Sequence, residues 1–157
     1  MHDAVYFAIA AGLAAGVLAG SLIGVANAVG VAFFDVSPFM MSLGMASVGF
    51  GIALYLTGGV PVYGLPGAFG DTFGFGSWLG LPIPVWVAIL IIIALWVYLY
   101  ATPQGRHFYA VGGNDKDAWL SGINVRGPLF RAYVLCADLD ATAGILLTAR
   151  LDTGEAN

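Results

Sequence analysis

Apolar side chains dominate four long stretches of the chain, at residues 4–34, 38–57, 84–100 and 132–151, and polar residues are concentrated between them. About 20 mostly apolar residues suffice for a helix to cross the hydrocarbon core of a bilayer. The first stretch contains no charged residue and would form a helix about 46 Å long, which predicts a tilted span with an extra turn or two. The pattern predicts an all-α integral membrane protein with about four transmembrane helices.

Turn-forming residues separate the predicted spans. Ser37 and Pro38 predict the start of the second helix, because serine is favoured at the N-cap and proline at the first helical position. Residues 58–82 combine glycines and prolines with aromatic side chains, which favours a loop at the membrane interface or folded back into the protein. Trp86 and Trp96 near the two ends of the third stretch are typical of an aromatic belt.

Small residues recur at helical spacing in the first stretch. Gly12, Gly16, Gly20 and Gly24 are four residues apart and would lie along one slowly drifting helix face. A face of this kind lets two transmembrane helices approach closely, so these glycines are predicted to pack against another helix. Asn27 is the amide side chain inside the same span. It would either hydrogen-bond a neighbouring helix or line a polar pathway for a substrate, and both readings stay open.

Composition supports the membrane class. The chain has 157 residues, of which 60% are hydrophobic and 9% are charged, whereas about 25% of residues are charged in a typical soluble domain. The acidic residues behind the net charge of −4 are scattered, so no nucleic-acid surface is predicted. Cys136 is the single cysteine and excludes an internal disulfide. A cleaved signal peptide ending at Ala28 is a competing reading, but the first residues carry no Lys or Arg.

Positive charge is concentrated in the loop at residues 105–131. It contains Arg106, Lys116, Arg126 and Arg131, which are four of the five Lys and Arg residues. Short loops rich in Lys and Arg stay in the cytoplasm, so this loop is predicted to be cytoplasmic and the glycine-rich loop at residues 58–82 to be an outer loop.

A short helix is expected within this loop. Gly112-Gly113-Asn114 predicts a turn, Asp115 or Asp117 would cap a helix containing residues 118–120, and Gly122 would close it. Such an amphipathic helix on the membrane surface is suited to contact with a partner protein.

The loop motif points to a family. Residues 105–123 read GRHFYAVGGNDKDAWLSGI, which resembles the GRxxYAxGGNxxAAxLSGI segment of bacterial ATP-binding-cassette importer permeases of the branched ribose, xylose and galactoside type. PFMMSLG from Pro38, LTGGVP from Leu56 and ARL from Ala149 resemble further segments of these permeases in the same order. The resemblance covers nearly the whole chain. Because members of the family are considerably longer, residues 1–157 are expected to be a fragment of a permease domain.

The resemblance implies a function and partners. The chain would be part of the transmembrane subunit of an importer that moves a monosaccharide across the inner membrane, with membrane lipid around it. Its partners would be a separate ATPase subunit, a second permease subunit and a periplasmic sugar-binding protein. The short helix would be the coupling helix that meets the ATPase, through Gly112, Gly113, Asn114, Ala118, Leu120, Ser121, Gly122 and Ile123.

The chain departs from the family pattern at several positions. Asp117 and Trp119 stand where the family usually has alanine and a basic or polar residue, and Phe50 stands where arginine is common. Asp138 and Asp140 occupy normally apolar or small positions inside the fourth span. Each carboxylate costs about 2.5–3.5 kcal/mol at mid-span, and two residues of this spacing point to different faces, so membrane insertion of the fourth span is in question.

Motifs for other chemistry are absent from the sequence. There is no phosphate-binding G-x-x-x-x-G-K-[ST] motif, so ATP hydrolysis is expected in a separate subunit, and no cofactor is expected. Neither metal-ligand spacing nor a paired nucleophile and base occurs, and the chain is not predicted to be an enzyme or to hold a metal. Two alternatives remain: a non-transporting or remnant membrane protein whose helices only pack, and a four-span proton-driven exporter that uses Asp138 or Asp140.

Overall fold

The computed structural model describes residues 2–60, 62–63, 76–78, 80–151 and 153–154. Most of the predicted glycine-rich outer loop at residues 58–82, with its phenylalanines, lies outside the described residues, as does Met1.

Helices dominate the described part of the chain. They are α1 (His2–Phe34), α2 (Pro38–Thr57), α3 (Ile83–Ala101), α4 (Pro103–Gly113), α5 (Asp115–Leu120) and α6 (Arg126–Leu151). Among them α1, α2, α3 and α6 are long and apolar enough to cross a membrane. The predicted all-α membrane protein with about four spans is therefore confirmed.

Helix ends follow the local chemistry with some differences from the prediction. Helix α2 begins at Pro38 and has Ser37 at its N-cap, although the serine side chain makes no capping hydrogen bond there. At the other end Gly58 adopts φ 63°, a left-handed conformation that favours glycine. Helix α6 begins at Arg126, well before the expected residue 132. Arg126 and Arg131 make the first six residues of this helix too polar to continue the apolar pattern that predicts the span.

Helices α1 and α6 form the main packed pair. They run antiparallel, because Gly16 faces Ile145 while Gly24 faces Ala137. Helix α2 packs less extensively on α1. Within the residues whose side chains the structure describes, the buried apolar side chains are few and mostly small: Ala28, Val31, Ala32, Ala118 and Ala149. Long exposed apolar faces fit a protein whose solvent is lipid.

Helix α3 is joined to the other spans through α4. Its contacts are mainly with α4 and with the short strand before it, and it contains no buried residue. Helix α4 in turn packs on α6 and leads into α5. The predicted cytoplasmic loop at residues 105–131 is therefore largely helical.

Two short antiparallel strand pairs complete the described residues. Strand β1 (Val62–Tyr63) pairs with β4 (Thr153–Gly154), which joins the chain after α2 to the end of α6. Strand β2 (Ser77–Trp78) pairs with β3 (Leu81–Pro82) just before α3. Trp86 donates a hydrogen bond of 3.0 Å from Nε1 to the carbonyl of Trp78, which fixes this hairpin on the first turn of α3.

Candidate functional site

The elbow between α3 and α4 is held by a threonine. The Thr102 hydroxyl donates to the carbonyl of Tyr98 at 2.6 Å and accepts from the backbone N–H of Gly105 at 3.1 Å. It therefore caps α4 and binds the last turn of α3 at the same time. Gly105 is buried, and a Cβ on it would collide with the carbonyl oxygen of Leu99. The direction in which α4 leaves α3 is thus fixed by these residues.

An asparagine starts α5. The side chain of Asn114 accepts from the backbone N–H groups of Lys116 at 3.1 Å and Asp117 at 3.3 Å. Its amide nitrogen donates to Asp117 Oδ2 at 2.8 Å. The sequence predicts a cap at Asp115 or Asp117 and a turn at Gly112-Gly113-Asn114, of which Asn114 alone is non-helical in the structure. The structure corrects both, because α4 continues through Gly113 and the amide of Asn114 satisfies the free N–H groups of the next helix.

Gly122 closes α5 as expected. It has φ 81°, and its backbone N–H donates to the carbonyl of Trp119 at 2.9 Å. The next N–H, of Ile123, reaches back to the carbonyl of Ala118 at 3.0 Å. A residue with a side chain would be strained in this left-handed position, so glycine sets the turn that leads into α6.

Helix α5 has one inward and one outward face. Ala118 is buried, with 4% of its surface exposed, whereas Trp119 and Leu120 are 69% and 74% exposed. A cavity of about 560 Å³ lies beside Trp119, between α5 and the start of α6. The remaining residues predicted for coupling, apart from the half-buried Ile123, lie exposed around the two ends of α5: Gly112, Gly113, Asn114, Ser121 and Gly122.

The basic residues of this region are on the surface. Lys116, Arg106 and Arg131 are exposed. The guanidinium of Arg126 lies 6.0 Å from the centre of the Phe33 ring at the end of α1, within the range of a cation–π contact. The end of α1 therefore lies at the same end of the molecule as α5.

Three of the four regularly spaced glycines face α6. A Cβ on Gly20 would stand 2.5 Å from that of Ala141, and one on Gly24 would stand 2.5 Å from that of Ala137. A Cβ on Gly16 would meet the side chain of Ile145 at 3.2 Å, while Gly12 has no neighbour within 4 Å. Each step of four residues along α1 matches a step of four along α6, so the two backbones lie close together.

The two aspartates of α6 have different surroundings. Asp138 faces α1, where the Ser21 hydroxyl lies 2.5 Å from its Oδ1 and 3.0 Å from the carbonyl of Val17. Asp140 points elsewhere and lines a cavity between α1, α2 and α6. Sequence reasoning missed Ser21. Its position next to Gly20, on the span most suited to close packing, was the available signal.

The cavity beside Asp140 has a volume of about 460 Å³. Asn27, Ser42 and Tyr133 line it together with Cys136, so polar groups from three helices converge there. The Oδ1 atom of Asn27 is buried and has no hydrogen-bond partner among the described residues. Within the same residues no group of three His, Cys, Asp or Glu side chains is placed to hold a metal ion.

The family model described as "Branched-chain amino acid transport system / permease component" matches residues 1–157. The ribose import permease protein of Bacillus subtilis is 40% identical over 121 residues, covering 76% of this chain and 38% of that protein. The D-allose transport system permease protein of Escherichia coli is 32% identical over 133 residues, covering 85% and 40% respectively.

A third relative is the galactofuranose transporter permease protein of Escherichia coli, 34% identical over 135 residues, which cover 85% of this chain and 39% of that protein. The chain thus spans about two fifths of the length of the curated relatives that it matches. No solved structure matches it.

Proposed function

Since this chain belongs to the family of permease components of branched-chain amino acid transport systems, we propose that it is part of the transmembrane subunit of an ATP-binding-cassette importer that carries a monosaccharide across the bacterial inner membrane. The family resemblance stated from the loop motif is confirmed by that match and by the ribose and allose permease relatives. The sugar and the partners belong to the proposal. The named sugars of three relatives support a monosaccharide as the cargo.

The observation that carries the proposal is the build of α5. A six-residue helix, capped at one end by Asn114 and at the other by Gly122, presents Trp119 and Leu120 outward. Exposed tryptophan side chains are typical anchors of protein interfaces. In a membrane transporter such a surface suits a cytoplasmic partner, so we assign it to the ATPase subunit.

The contacts of α5 indicate how force would reach the spans. Helix α5 follows directly on α4, which is fixed to α3 by Thr102 and packs on α6. Closure of two ATPase subunits on ATP would displace α5, and this displacement would be passed to α3 and α6. The spans would then rock between inward-open and outward-open arrangements. A second permease subunit would form the other half of the path, and a periplasmic binding protein would deliver the sugar.

A pair of matched variants tests the proposed interface. Trp119 in α5 and Tyr109 in α4 are both 69% exposed, so replacing either by alanine leaves packing inside the chain nearly unchanged. The tagged full chain is co-purified from membranes with a co-expressed ATPase subunit of a bacterial ribose importer, and the dissociation constant is then measured. Trp119→Ala is expected to weaken binding about 30-fold, the effect of losing about 2 kcal/mol at an interface anchor, while Tyr109→Ala leaves it within about twofold.

Equal binding of the ATPase by the two variants would show that the ATPase does not contact α5 through Trp119. Absence of binding by the unmodified chain would favour the alternative of a membrane protein whose helices only pack.

A further inference from the structure

We propose that the cavity between α1, α2 and α6 is a binding site for a polyhydroxylated small molecule, a monosaccharide, inside the membrane. This inference rests on the proposed transport function for the identity of the ligand. It assigns to one site the polar groups of Asn27, Ser42, Tyr133 and Asp140.

The cavity lies deep within the spans. Asp140 is fourteen residues after Arg126, the first residue of α6, which places it about 21 Å along a helix about 39 Å long. Asn27 is seven residues before Phe34, the last residue of α1, or about 10 Å from that end. Both groups are therefore well inside the apolar part of the bilayer, where polar side chains need a specific reason.

Asp140 indicates that the cavity is wet. Ionisable residues within transmembrane segments face the interior of the bundle or a water-filled space, because a carboxylate against lipid is costly. Asp140 is exposed in this structure and lines the cavity. A volume of about 460 Å³ is within the range of about 300–1,000 Å³ found for small-molecule sites, and it leaves space for water and a sugar.

Asn27 borders the cavity with a polar atom that lacks a hydrogen-bond partner among the described residues. This atom is Oδ1, and it is buried. A buried polar atom of this kind costs about 1–3 kcal/mol. A ligand hydroxyl that reaches Oδ1 from the cavity would supply the missing hydrogen bond.

The other polar groups define the ligand class. The Ser42 hydroxyl donates to the carbonyl of Phe39 at 3.1 Å, which leaves its oxygen free to accept. With the carboxylate of Asp140 and the carbonyl oxygen of Asn27, the site offers three acceptors from three helices. A ligand with several O–H donors on a compact ring matches them, and the phenol of Tyr133 adds an aromatic wall and a donor.

The single cysteine of the chain provides a reporter. Cys136 is exposed and lines the same cavity, and thiols react with maleimides as thiolates, which apolar surroundings disfavour. The full chain in lipid nanodiscs is treated with N-ethylmaleimide, and the rate at Cys136 is followed by mass spectrometry. We expect measurable labelling, and D-ribose at ten times its dissociation constant is expected to slow it about tenfold, since bound ligand excludes the reagent.

Two variants connect the protection to the site. Asn27→Leu removes the unpaired acceptor at similar volume, and Asp140→Asn keeps the shape while removing the charge. Each is expected to reduce the ribose protection at least fivefold. Ser47→Leu makes a similar polar-to-apolar change on an exposed part of α2 that does not line the cavity, and it is expected to leave protection unchanged.

Several results would overturn the inference. An unreactive Cys136 would mean that the cavity is dry. Protection that survives both site variants would mean that the ligand binds elsewhere. Protection by potassium chloride but not by ribose would mean that the cavity is a cation site. If ribose gives no protection while the ATPase still binds through Trp119, this site is wrong and the proposed transport function stands. If both measurements fail, the transport function is wrong as well.

Discussion

At the scale of single residues, a carboxylate in the middle of a membrane helix is tolerated when other groups solvate it. Asp138 is such a group, and the Ser21 hydroxyl of α1 is its partner at 2.5 Å. The same hydroxyl lies 3.0 Å from the carbonyl of Val17 and keeps that acceptor if the carboxylate is removed. The two partners therefore depend on each other unequally, and the fourth span gains a specific contact where sequence reasoning questioned its insertion.

Substitutions at Ser21 and Asp138 are expected to have unequal effects. Ser21→Ala leaves the carboxylate without its donor and should lower the free energy of unfolding by about 1–3 kcal/mol. Asp138→Leu removes the group that needs a partner and should be neutral or stabilising. The double variant should resemble Asp138→Leu. Thermal unfolding of the purified chain in detergent, followed by circular dichroism, measures the differences, and equal losses in both single variants would contradict this interpretation.

At the scale of helices, the register between α1 and α6 is set where small residues meet. A Cβ on Gly24 would come within 2.5 Å of Ala137, whereas one on Gly12 would meet nothing within 4 Å. Elsewhere in a helix, alanine is favoured over glycine by about 0.5–1 kcal/mol. Replacement by alanine is therefore expected to lower the free energy of unfolding at Gly24 and to raise it at Gly12.

The glycine face is tested by Gly24→Ala against Gly12→Ala. The first should lower the free energy of unfolding by about 1–3 kcal/mol because the helices must separate, and the second should raise it by up to about 1 kcal/mol. Both are measured by thermal unfolding in the same detergent. A gain in stability for Gly24→Ala would show that α1 and α6 are not in close contact there.

The elbow between α3 and α4 is tested by Gly105→Ala against Gly112→Ala. A methyl group on Gly105 would collide with the backbone of Leu99, while Gly112 has open space around it. Gly105→Ala is expected to lower the free energy of unfolding by at least about 1 kcal/mol. It should also increase hydrogen exchange in α4 relative to Gly112→Ala. Unchanged exchange would mean that Gly105 does not fix the elbow.

How much was readable from the sequence differs between elements. The bounds of α2 were predicted correctly, because Pro38 and Gly58 mark its ends and no charge interrupts it. Helix α4 is not predicted from the sequence, because its three glycines and mixed polarity give no clear helical periodicity. Its packing on α6 stabilises it instead. The Ser21 contact with Asp138 joins residues 117 positions apart. Such a contact depends on the register between two helices, which a single sequence does not contain.

At the scale of the whole molecule, the helix ends that lie together agree with a chain that crosses the membrane four times. The end of α1 and helix α5 border a common cavity, lined among others by Asp35 and Lys116. The chain after α2 and the end of α6 meet at the β1–β4 pairing. These two sets of contacts belong to opposite ends of α6, as a bundle that crosses the membrane four times requires.

Orientation in the membrane is tested at Lys116. In a Cys136→Ser background, Lys116→Cys is expected to react with a membrane-impermeant maleimide in inverted membrane vesicles and to be protected in intact spheroplasts, since basic loops stay in the cytoplasm. Lys116 is exposed, so access to the reagent depends on the side of the membrane. Labelling in intact spheroplasts would place α5 outside and exclude an ATPase as its partner.

The pairing of β1 with β4 has a mechanical consequence. It clasps one end of α6 to the chain that follows α2, in the register Val62 to Gly154 and Tyr63 to Thr153. This pairing would act as a pivot between α2 and α6. A force on the start of α6, at the opposite end, would then separate these two helices. Helix α6 is about 39 Å long, and a swing of about 10° about that pivot parts the free ends by about 7 Å. Half-way along α6, beside Asp140, the distance between α6 and α2 would increase by about 3 Å.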